Sequence, residues 1–168
     1  MQLRVALHDS HARWHRRYLP TRSPAFLPAV DAWLVGAELL TDKINGVALR
    51  SMANPGTAYD DPLLGRDPQP AHMRDFIETR DDNGGVHLNS GIPNRAFYLA
   101  AMALGGYAWE QAGRIWYATI CDPQLPNDGD FATFAGVTLN HAAQLFGRQS
   151  PQVQALYEAW TSVGVALR

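Results

Sequence analysis

From Asn89 onward apolar residues recur at every third or fourth position, the spacing of helices that bury one face. The run from Ala96 to Leu104 starts after Asn89-Ser90, residues of cap-forming type, and stops at Gly105-Gly106, so a helix is predicted between those signals. A second is predicted from about Tyr107 to Cys121, with Trp109, Ala112, Trp116 and Ile120 on one face and Asp122-Pro123 as its stop. Asp130 is placed to cap a third, whose Phe131, Phe134, Thr138, Ala142 and Leu145 share a stripe that ends at Gly147. Ser150 followed by Pro151 opens the last, with Val153, Leu156, Tyr157, Trp160 and Val163 on one side. Aromatics at this spacing belong in a core, which assigns Trp109, Trp116, Phe131, Phe134, Tyr157 and Trp160 to the interior.

The first half reads differently. Residues 31–40 suggest a short helix with Trp33, Val35, Leu39 and Leu40 inward. Residues 41–82 are rich in Pro, Gly, Asp and Asn with little periodicity, and a short helix is expected near Met73 to Ile77. The pattern as a whole predicts a mainly α domain with no repeat.

Composition narrows the classes. At 168 residues the chain can bury one real core. A net charge of −2 and a pI near 6.3 argue against a nucleic-acid surface. No apolar run approaches the ~18 residues of a membrane span. The single cysteine, Cys121, excludes an internal disulfide framework and, on an apolar helical stretch, is expected to be a buried core thiol. The first twenty residues carry no apolar run of the length that a signal peptide requires, so the chain made as it stands is expected to remain cytoplasmic.

The stretch Asp82-Asn83-Gly84-Gly85-Val86-His87-Leu88-Asn89-Ser90-Gly91-Ile92-Pro93-Asn94 concentrates the candidate chemistry. Gly84-Gly85 lets the backbone turn so that Asp82 can fold back on His87. A carboxylate on one imidazole nitrogen fixes the tautomer and leaves the other nitrogen free to donate into a cleft, the geometry of an oxyanion-stabilising histidine. The same pair also fits a purely structural hydrogen bond within a loop.

The whole string resembles the active-site loop of the thermolysin-like neutral metallopeptidases. Further segments are similar to that family: Leu49-Arg50-Ser51-Met52 with Asn54-Pro55, Ala112-Gly113-Arg114-Ile115-Trp116-Tyr117, Ala142 to Gly147 with Ser150, and Ala159 to Val165. Ala58-Tyr59-Asp60-Asp61-Pro62 and Pro68-Gln69-Pro70-Ala71-His72-Met73 resemble its shorter, protealysin-like branch. The resemblance runs from about Asp31 to Val165. It implies the helical C-terminal domain of that fold, four to six helices with a long ordered loop, over residues 30–168. Residues 1–29 hold five arginines, three histidines and three prolines against one acid, match none of these motifs, and read as a poorly ordered arm or a stretch translated out of frame.

The resemblance also implies function. The family consists of secreted zinc metalloendopeptidases in which a His-Glu-x-x-His helix and a third glutamate hold the metal. Neither motif occurs in this sequence, and no zinc ligand is recognised. Ala32, Leu34, Ala37 and Val47 stand where the family has acidic calcium ligands, so no calcium site is expected either. By resemblance His87 is the oxyanion donor and Asp82 its orienter. Arg50 binds the carbonyl of the residue after the scissile bond, and Val35, Leu39 and Leu49 line the apolar pocket for its side chain. A peptide or protein is the implied substrate, and a zinc-binding N-terminal domain the implied partner. The chain alone is expected to be inactive. A non-catalytic remnant that binds peptides or complements a separate zinc domain, and an unrelated helical domain, are the alternatives.

Overall fold

The computed structural model describes residues 33–167. The predicted arm, residues 1–29, and with it His8, His11 and His15, lies outside the described residues, as do Asp31 and Ala32.

Two short antiparallel ribbons precede the helices. Strands β1 (Leu34–Val35) and β2 (Arg50–Ser51) pair with Leu34 opposite Ser51 and Val35 opposite Arg50. Strands β3 (Asp60–Asp61) and β4 (Gly65–Arg66) form a separate hairpin. The described part of the predicted helix, residues 33–40, is therefore not helical throughout. Leu34 and Val35 pair as a strand, Gly36 turns left-handed at φ 76°, and only Ala37–Leu39 forms a 3-10 turn. The cross-strand bonds from β2 and the αL glycine win over a weak helical periodicity. Trp33 meets Phe97 and Tyr98 edge-on at 6.0 and 5.1 Å, which anchors this ribbon to the helical part.

The long loop is ordered by two buried aspartates. Asp61 accepts the backbone N–H groups of Asn45, Leu63 and Leu64. Asp67 accepts those of Gly56, Ala58 and Gln69 at 3.0–3.1 Å. Six backbone donors that lack a regular ladder thus find charged acceptors. The short helix expected near Met73 is a 3-10 turn, Met73–Asp75, with His72 Nδ1 accepting from the Arg74 N–H. The His72 ring lies over Gly164, where an added Cβ would fall 2.3 Å from it, and the Met73 N–H donates to the Val163 carbonyl.

A helix not predicted, α1 (Asp82–Asn89), occupies the stretch read as a loop, and four helices follow as predicted in kind: α2 (Gly91–Leu104), α3 (Ala112–Ile120), α4 (Phe131–Phe146) and α5 (Pro151–Ser162). Asp130 and Ser150 cap α4 and α5 with side-chain bonds to Thr133 N–H and Val153 N–H, as their sequence positions predict. The core lies among α2 to α5. Ile92, Ile115, Phe134, Leu156, Trp160 and Val163 are fully buried in it. Trp160 stacks on Trp116 at 5.7 Å, and its indole N–H donates to Thr138 Oγ1 at 2.9 Å.

Five interior assignments fail. Leu39, Trp109 and Tyr157 are about half exposed, Leu145 is exposed, and so is Cys121. Helix α3 begins at Ala112, and Tyr107 to Gln111 form a turn ahead of it in which Trp109 stacks on Tyr107 at 4.4 Å. Removing Trp109 from the helix removes it from the helical face. Cys121 sits one residue past the end of α3, at its C-cap, where the chain turns outward. Tyr157 and Leu145 stand at the margins of their stripes.

Candidate functional site

Asp82, Asn83, Gly84 and Gly85 all have positive φ, at 54°, 53°, 84° and 74°. They form one left-handed turn, closed by the Gly84 and Gly85 N–H groups on the Asp81 carbonyl at 3.0 and 2.9 Å. Gly85 is required twice over. Its φ disfavours a side chain, and a Cβ there would lie 2.9 Å from Asn89 Nδ2 and 3.1 Å from the Thr79 methyl. The right-handed part of α1 starts only after it, and the turn swings Asp82 back over the new helix end.

There the carboxylate meets three donors. Asp82 Oδ1 lies 2.5 Å from His87 Nδ1, while Oδ2 accepts the N–H of His87 at 2.8 Å and of Leu88 at 3.3 Å. The aspartate is both helix cap and imidazole orienter. The imidazole hydrogen bond, foremost, with backbone N–H bonds behind it, holds the Asp82 carboxyl below its ordinary value against the opposing effect of burial. His87 Nε2 has no partner among the described residues, and the side chain is 45% exposed.

The β1–β2 ribbon supplies the rest. Pairing puts Val35 beside Arg50, and the Leu49 N–H donates to the Val35 carbonyl at 3.0 Å. Leu39 and Leu49 both pack over Gly36, each 3.1 Å from where its Cβ would be. They are 56% and 39% exposed, an open apolar surface. Arg50 Nη1 donates to Ser90 Oγ at 2.8 Å, and Ser90 Oγ donates to the His87 carbonyl at 2.7 Å. Val35, Leu39, Leu49 and Arg50 are thus gathered on one ribbon and joined through Ser90 to His87 and Asp82.

Ser90 and Gln69 have positions that periodicity misses. Ser90 makes no side-chain cap for α2, because its hydroxyl is committed to the His87 carbonyl. Buried Gln69 donates from Nε2 to the same carbonyl and to Ser90 Oγ, both at 3.0 Å. Its position between Pro68 and Pro70 is the only trace of this in the sequence. Asn89 clasps the loop from the other side, exchanging two 2.9 Å bonds with the backbone of Ile77.

A hollow of about 480 Å³ between Ile44, Val47, Thr57, Tyr59 and Arg66 includes none of these site residues. Among the described residues no three His, Cys, Asp or Glu side chains come together as a metal site. His87 has only Asp82 beside it, with Nδ1 already engaged, so the described residues do not fit a zinc centre. The second His–Asp pair, His141 Nε2 to Asp122 Oδ2 at 2.9 Å, ties α4 to the turn after α3.

Comparison with known proteins shows the family. The alpha-helical domain of thermolysin metallopeptidase matches residues 10–165, a match that begins ahead of Asp31. The chain is 61% identical over 136 residues to an extracellular metalloprotease of Pectobacterium carotovorum subsp. carotovorum, covering 81% of this chain and 39% of that protein. It is 52% identical over 139 residues to protease PrtS of Photorhabdus, covering 82% and 37%. Among solved structures it superposes on the precursor of protealysin, a metalloproteinase from Serratia proteamaculans, with a TM-score of 0.77 and 67% identity, covering 80% and 41%. The chain spans about two fifths of the length of these relatives. It belongs to the thermolysin-like family of zinc metallopeptidases, whose alpha-helical domain it forms.

Proposed function

We propose that this chain forms one wall of the cleft of a secreted thermolysin-like zinc metalloendopeptidase, which cleaves peptides or proteins. Its extracellular relatives and the site geometry support this reading. The other wall and the zinc belong to a zinc-binding domain such as the remaining length of those relatives would supply. Zinc bound there would supply the Lewis acid and the activated water. His87 then donates from Nε2 to the scissile carbonyl oxygen as it gains charge, and Asp82 keeps that nitrogen aimed. Arg50 offers its remaining guanidinium donors to the next carbonyl, and Val35, Leu39 and Leu49 receive the side chain beside it. The carrying observation is the His87 imidazole pinned at Nδ1 and open at Nε2, on a residue whose backbone carbonyl is linked through Ser90 to Arg50. Without a zinc-binding domain the chain has neither nucleophile nor Lewis acid and hydrolyses nothing.

Complementation tests the reading. The 168-residue chain is mixed with the zinc-binding part of the Pectobacterium relative, made separately. Peptide cleavage is expected to appear on mixing, and His87→Ala to lower kcat by about 10²–10³-fold, the cost of losing one oxyanion donor. Silence, while that zinc-binding part is activated by its own helical domain, overturns the reading and leaves a peptide-binding remnant.

A further inference from the structure

Arg50 and His87 lie 37 residues apart in the chain, yet one buried hydroxyl joins the guanidinium of the first to the backbone carbonyl of the second. Ser90 Oγ accepts from Arg50 Nη1 at 2.8 Å and from Gln69 Nε2 at 3.0 Å, and donates to the His87 carbonyl at 2.7 Å. Both lone pairs and the proton of the hydroxyl are in use, so its orientation is fully determined. Ser90 is 4% and Gln69 6% exposed. Gln69 Oε1 is buried with no partner among the described residues. A buried carbonyl oxygen left unpaired is costly, so this amide orientation is set by what Nε2 holds.

We infer that Ser90, locked by Gln69, is a positioning residue that fixes the Arg50 guanidinium relative to His87, and so sets where the substrate carbonyl after the scissile bond is bound. The inference rests on the cleft reading above. Arg50 has no carboxylate within salt-bridge range among the described residues, so Ser90 is the tether that keeps a flexible side chain from sampling other rotamers. Because Arg50 meets a carbonyl that is not itself reacting, a loosened guanidinium weakens ground state and transition state alike. Its signature is in KM, not kcat.

The test reads the full chain in two ways. In the chain alone, nitrogen-15 NMR of the arginine side chains is expected to show the Arg50 guanidinium as a restrained, slowly rotating group. Ser90→Ala should release it to fast averaging, and Gln69→Met should do so in part, while the His87 imidazole signal stays in place. In the complemented enzyme, Ser90→Ala should raise KM by about tenfold, with kcat changed less than about twofold. Ser90→Thr, which keeps the hydroxyl, should restore the restrained signal and the lower KM. An Arg50 signal unchanged by Ser90→Ala overturns the inference whether or not cleavage is seen. So does a fall in kcat and melting temperature with no change in KM, which marks a merely structural serine. If the wild-type mixture never cleaves, the cleft reading has failed, and the guanidinium signal still decides whether Ser90 positions Arg50.

Discussion

At the scale of single residues, Asp82 carries the most consequence. Its carboxylate collects an imidazole and two backbone donors from a residue at φ 54°. Asn tolerates that φ, so Asp82→Asn removes the charge without adding strain. The sign of the pH effect follows from the depressed carboxyl. Unfolded, the group titrates near 3.8, and folded, lower. Its stabilisation is therefore complete above the unfolded value and disappears as pH falls through the folded one. Thermal melting should show wild type above Asp82→Asn at pH 7, with the gap closing below about pH 4. A gap independent of pH would remove the charge from the account. The residues Asp82 and His87 are legible in sequence because both ends of the contact lie within one short turn.

At the scale of elements, order in the long loop depends on buried carboxylates and not on a ladder. Asp67 holds three N–H groups from Gly56, Ala58 and Gln69, and Gln69 in turn holds Ser90 and the His87 carbonyl. Asp67→Ala leaves those donors unpaired in a buried place and should cost about 2–4 kcal/mol in urea unfolding. It should also loosen the Arg50 guanidinium, because the loop carries Gln69 and Gln69 holds Ser90. A loss below about 0.5 kcal/mol would mean that water replaces the carboxylate freely. Capped helices such as α4 and α5 could be read from Asp130 and Ser150, whose partners sit three residues away. The strand at Leu34–Val35 could not, since its partner is Arg50–Ser51. Tyr107 to Gln111 misled for a related reason: the apolar spacing continues through a turn that the backbone does not.

At the scale of the whole molecule, the core among α2 to α5 is closed while the face with Leu39 and Leu49 stays open. Leu39 is 56% exposed, so Leu39→Ser should change stability by no more than about 0.5 kcal/mol. In the complemented enzyme the same change should lower kcat/KM for substrates with a large apolar residue after the scissile bond by about tenfold, and for alanine there by much less. Equal losses for both substrates would take Leu39 out of the pocket.

The amino-acid sequence by itself determined the helices with local caps, the mainly α class, the family, and the Asp82–His87 contact. Each depends on spacings within a few residues, where backbone geometry leaves little choice. Only the tertiary structure decided that Arg50 and His87 meet through Ser90, that Gln69 locks the joint, and that Trp109 and Cys121 face outward. Those outcomes depend on segments far apart in the chain, and the periodicity of one segment carries no information about which distant partner will satisfy its polar groups or cover its apolar ones.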